Sequence, residues 1–149
     1  MQYFRLLRCV LAVCLLCVGL VAPAWADFYV VVQSAHPQKS LTQQEAVALF
    51  MGRSRQFANG ELAIVFDLAR EAPGRAAFYL ALTGMTPAQV NSYWARLMFA
   101  GQSMPPQALP DEQAMTNLVK RNPNAIGWLS KEPADKGLRT LLVLKETAP

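Results

Sequence analysis

The chain has 149 residues, 53% of them hydrophobic and 16% charged, with a formal net charge of +4. So much apolar side chain with so little charge excludes a disordered chain, and the recurring prolines exclude a coiled coil. The length suits one domain, or one domain behind a processed leader.

Arg5 and Arg8 precede an apolar run from Cys9 to Val21, and Ala24-Trp25-Ala26 follows. A positive start, a short apolar core and a small-x-small tripeptide are the parts of a secretory signal peptide. The run is shorter than the roughly 20 residues that cross a bilayer. The expectation is a signal peptide over residues 1–26, cleaved after Ala26, and one α/β domain over residues 27–149. Cys9, Cys14 and Cys17 are the chain's three cysteines, so the processed protein carries no thiol. Arg5 and Arg8 also leave with the leader, which brings the remainder close to neutral. No basic stripe remains for a nucleic acid. A single histidine, His36, leaves metal chemistry without ligands, and no cofactor is expected. His36 is read as a solvated loop residue, and any Cys–His or Ser–His–Asp mechanism would rest on it alone.

Phe28 to Val32 is a continuous apolar run, suited to a strand buried on both faces as in a parallel sheet. Thr42 and Glu45 have capping-box spacing, with Leu41 as the staple, and open a helix that buries Ala46, Val47, Leu49 and Phe50 up to Gly52. Leu62 to Phe66 is a second strand, ending at Asp67. A helix carrying Phe78, Tyr79 and Leu82 stops at Gly84. Thr86-Pro87 starts the next, with Val90, Tyr93, Trp94, Leu97 and Met98 on one face. After the Met104-Pro105-Pro106 connector, Asp111 to Arg121 forms a helix with acidic residues at its start and basic ones at its end. Ala125 to Leu129 and Leu141 to Leu144 are the last two strands. The order describes an open α/β layer, in which ligands gather beyond the carboxyl ends of strands. Ser34, the Asp67–Gly74 loop and Ser130 are the positions to watch.

Four stretches carry a resemblance: Val30 to Gly52, with Ala48-Leu49-Phe50-Met51-Gly52-Arg53 at its end, then Gln56-Phe57-Ala58-Asn59-Gly60, then the strand-loop segment to Phe78, then Asn122-Pro123-Asn124-Ala125-Ile126-Gly127-Trp128. In this order the chain resembles the second lobe of phosphate-type periplasmic substrate-binding proteins of ABC transporters. The resemblance spans nearly all of the exported part. It implies a single lobe of a type II periplasmic-binding-protein-like fold, a mixed sheet flanked by helices, in the periplasm. It also implies a non-enzymatic solute-binding or adaptor module, with a small periplasmic hydrolase on the same fold as the alternative. That family holds its anion with an arginine and a Ser-Gly-Thr turn at a helix N-terminus. Here the matching stretch is Asp67-Leu68-Ala69-Arg70-Glu71-Ala72-Pro73-Gly74, without the hydroxyls and with one amide lost to Pro73.

The ligand-binding candidates are therefore Ser34, Arg70, Gly74 and Arg75, for a small anion held weakly. Arg53 and Arg55 are candidates for docking an acidic partner, a membrane receptor, transporter or sensor domain, with Phe57 tucked into the core behind them. Asp67 and Glu71 are read as helix-capping or loop carboxylates rather than as a catalytic pair. Trp94 and Trp128 sit at buried-pattern positions, and no catalytic residue is assigned. Intact-mass measurement of a periplasmic extract tests the leader. The expected species begins at Asp27, and one that retains Met1 to Ala26 would overturn the processing.

Overall fold

The computed structural model describes residues 27–145. The leader expected over residues 1–26 lies outside the described residues. The elements in chain order are β1 (Phe28–Gln33), α1 (Gln43–Phe50), β2 (Ile64–Leu68), α2 (Arg75–Thr83) and α3 (Pro87–Phe99). They continue with β3 (Gln107–Leu109), α4 (Glu112–Arg121), β4 (Ala125–Leu129) and β5 (Leu138–Leu144). Five strands form one mixed sheet in the order β3-β2-β4-β1-β5, flanked by helices.

Local chemistry sets the helix starts. At α1 the Thr42 hydroxyl accepts from the Glu45 amide at 3.2 Å, and the Glu45 carboxylate accepts from the Thr42 amide at 2.7 Å. That hydrogen bond also holds the Glu45 carboxyl below its usual pKa. Thr86 and Gln89 form a second capping box at α3, with Pro87 in the first turn. Asp111 caps α4 by accepting from the Ala114 amide at 2.7 Å.

β4 is buried along its whole length at the centre of the sheet, and β1 is buried at four of its six positions. The sequence therefore reads β1 correctly as an interior strand, but not its direction. β1 runs antiparallel to both neighbours, with Tyr29 opposite Leu129 and Phe28 opposite Leu144. An apolar run reports burial on two faces, whereas strand direction depends on how the chain returns. The parallel part of the sheet is β3-β2-β4. β3 is a short addition that the proline-rich connector hides from the sequence: three residues at the sheet edge. The core on the α4 side needs Gly127, where a Cβ would run into the Met115 thioether.

His36 is buried, contrary to the solvated loop position expected for it. Its ring lies 4.5 Å from that of Phe57, and its Nδ1 accepts from the Gln38 amide at 3.1 Å. Arg139 donates to the His36 carbonyl, tying the same turn to β5. Phe57 is buried, as its core reading requires. Burial pushes the His36 pKa below its ordinary value, opposed by the Glu61 carboxylate and helped by the Arg139 charge. Below the unfolded value, about 6.5, the unfolded chain takes up a proton that the folded one resists. Stability should therefore fall as pH drops through about 6.5, and the loss should level off below the folded pKa. In His36→Gln, urea midpoints measured from neutral to mildly acid pH should show a flatter decline. An unchanged decline would exclude His36 as its source.

Candidate functional site

Asp67 ends the straight part of β2 with a side chain only 3% exposed. Its Oδ1 accepts from the Leu68 amide at 2.7 Å and from the Trp128 indole N–H at 3.0 Å. Its Oδ2 accepts from Arg75 Nε at 2.8 Å and the Tyr79 hydroxyl at 2.9 Å, and Arg75 Nη2 lies 2.8 Å away. A buried carboxylate is tolerated when its lone pairs are met in this way. Arg75 also lies over the Tyr79 ring at 4.8 Å. Burial, and next the neighbouring Asp67 charge, push the Tyr79 phenol well above its ordinary pKa, so it stays a proton donor to Asp67. Asp67 is thus neither the cap of α2 nor half of a catalytic pair: both oxygens are engaged inside the core, while Glu71 is exposed.

The chain leaves Asp67 through residues 69–74 and enters α2 at Gly74, whose φ of 81° is left-handed, with no side-chain cap. A cleft of about 290 Å³ opens here, beyond the carboxyl ends of β2, β3 and β4. Ala72, Pro73 and Gly74 form one wall, and Pro110, Asp111 and Glu112 the other, with Ser130 between them. Glu112 Oε1 accepts from the Ser130 amide at 2.8 Å. Two carboxylates therefore border the cleft, each bonded to a backbone amide and each unfavourable to a bound anion. In the sequence, Asp111 and Glu112 read only as helix-start charges. Their place beside Ser130 follows from the β3–β2–β4 pairing, which a three-residue edge strand barely signals.

The structure divides the predicted ligand residues. Gly74 lines the cleft, and Arg70 is exposed in the same loop. Arg75 has its guanidinium on Asp67 and a side chain only 14% exposed, so its charge is neutralised inside the fold. Ser34 is at the other end of the sheet: it follows β1, which runs against β4, and its amide donates to the Gly137 carbonyl. It cannot share a site with Arg70 and Gly74. Arg53 and Arg55 are exposed beyond α1, also away from the cleft. Trp94 and Trp128 are both buried, as read from the sequence. Among the described residues no group of three or more His, Cys, Asp or Glu could hold a metal ion. No described helix is long and apolar enough to cross a membrane.

The five-stranded mixed sheet and its flanking helices place the chain in the α/β class. Among solved structures it is similar to one described as a phosphate ABC transporter substrate-binding protein with bound phosphate, from Clostridium perfringens. The TM-score is 0.63 and the identity 16%, over 78% of this chain and 44% of that one. It is also similar to an ABC-type phosphate transport receptor from Vibrio cholerae, with a TM-score of 0.61 and 16% identity over 78% of this chain and 46% of that one. The chain thus spans less than half the length of either protein, and at this identity the likeness is one of fold. No family model matches the sequence, and no curated protein does.

The Asp67 cluster has a direct test. Asp67→Ala leaves Arg75 as a buried charge without its partner, and should cost about 3–5 kcal/mol in urea denaturation. Adding Arg75→Met should recover part of that loss, because the orphaned charge goes too. A single variant within about 0.5 kcal/mol of the parent would show that the cluster contributes little.

Proposed function

We propose that the chain is a non-enzymatic periplasmic module, a solute-binding-like or adaptor lobe whose carboxyl-edge cleft holds small anions only weakly. The observation that carries this reading is the lining of that cleft. Among the described residues no cation lines it: Arg70 is exposed in the adjoining 69–74 loop, and Arg75, at the start of α2, is held by Asp67. Asp111 and Glu112 stand on the facing wall. Gly74 and the uncapped first turn of α2 supply amides, and Ser130 a hydroxyl, but Pro73 has no N–H to add. Supporting the reading is the likeness to lobes of two proteins whose descriptions are of phosphate transport, in a chain under half their length. Water competes for an anion in this cleft, so each hydrogen bond contributes little net affinity.

Arg53 and Arg55, exposed at the opposite end of the sheet, suit docking of an acidic partner such as a receptor, transporter or sensor domain. The leader read over residues 1–26 supports a periplasmic location. Titration calorimetry with inorganic phosphate tests the cleft. A dissociation constant of millimolar order or weaker is expected, about 4 kcal/mol of binding. A sub-micromolar constant that disappears in Arg70→Ala would overturn the weak-site reading.

A further inference from the structure

A second and larger cavity, about 440 Å³, lies at the amino ends of β2 and β3, away from the cleft described above. Its origin is in the sheet register. β3 joins β2 only from Gln107, opposite Phe66, so no strand covers Ile64 and Val65 on that edge. The loop from Gly101 to Pro106 arches over the gap instead, and the end of α3 closes one side. The volume falls within the range of about 300–1,000 Å³ usual for small-molecule sites.

The lining has a definite chemistry. Leu49, Ala63 and Trp94 make a buried apolar floor, while Ile64, Met98 and Met104 form exposed apolar walls. Methionine walls adapt to ligand shape at low cost. Gly52 belongs to the same lining, and a Cβ there would come within 2.9 Å of both the Trp94 ring and the Ser103 hydroxyl. Arg55 is the single charged residue of the lining, which contains no carboxylate. It makes no ion pair among the described residues. Its backbone is fixed to the start of β2, because the Ala63 amide donates to the Arg55 carbonyl at 2.9 Å. One cation on an anchored backbone, beside a hollow that is apolar apart from Ser54, Gln102, Ser103 and Gln107, fits a ligand with an apolar body and a single anionic group. An inorganic anion would leave the apolar walls unused, and a cation would meet only Arg55.

We propose that this cavity binds small organic anions, carboxylates or sulfonates carried on an apolar or aromatic body. The site is separate from the carboxyl-edge cleft and does not depend on it. The probe is 8-anilinonaphthalene-1-sulfonate, followed by energy transfer from tryptophan, with neutral N-phenyl-1-naphthylamine as its uncharged counterpart. We expect saturable binding of one sulfonate probe per chain, not displaced by excess inorganic phosphate. Arg55→Gln should weaken the sulfonate by about tenfold, the worth of one charge-assisted contact, and leave the neutral probe within about twofold. Met98→Trp, which fills the hollow, should abolish both. Phe99→Ser, altering a side chain 95% exposed and outside the lining, should change neither. Melting curves confirm that each variant is folded. Absent or non-saturating binding would overturn the proposal, as would sulfonate affinity unchanged in Arg55→Gln or in Met98→Trp. Loss of binding in Phe99→Ser alone would place the probe on the outer surface and overturn it equally.

Discussion

One buried carboxylate organises this lobe. Asp67 receives hydrogen bonds from α2 through Arg75 and Tyr79, and from β4 through Trp128. Each donor belongs to an element that must dock for the core to close. The aromatic packing follows from the same geometry: Trp128 stacks on Phe78 at 4.4 Å and 6°, and Phe28 meets both rings edge-on. A slip of α2 along the sheet would break both the ion pair and the stack. Hydrogen bonds and ring contacts of this kind add direction to a core whose apolar burial is otherwise indifferent to it.

The same arrangement limits chemistry at the carboxyl edge. An arginine turned inward onto Asp67 no longer presents its charge to the cleft, and what remains there is bordered by acids. The opposite end of the sheet has the contrary character, with free arginines and an apolar hollow. The two ends of the sheet therefore differ chemically, for reasons visible in single residues.

Much of the fold was legible in the sequence because its signals are local. The Thr42–Glu45 and Thr86–Pro87 starts, the glycine stops and four apolar strands all depend on neighbours within a few residues. What escaped depends on distance along the chain. Nothing near Ser34 tells that β1 runs against β4, yet that direction alone separates Ser34 from Arg70 and Gly74. The partnership of Asp67 with Arg75 crosses an irregular loop, so spacing did not reveal it. His36 looked solvated because its cover, Phe57, arrives from another loop. β3 is too short to carry a pattern.

The position of β1 has a kinetic consequence. Among the described residues the first strand made is an interior one, and its two partners, β4 and β5, are the last two made. The sheet therefore stays incomplete until synthesis has passed Leu144. Closing such long loops is slow compared with forming local helices. Until β4 and β5 are made, β1 has neither of its pairing partners, and its apolar side chains have no sheet to complete.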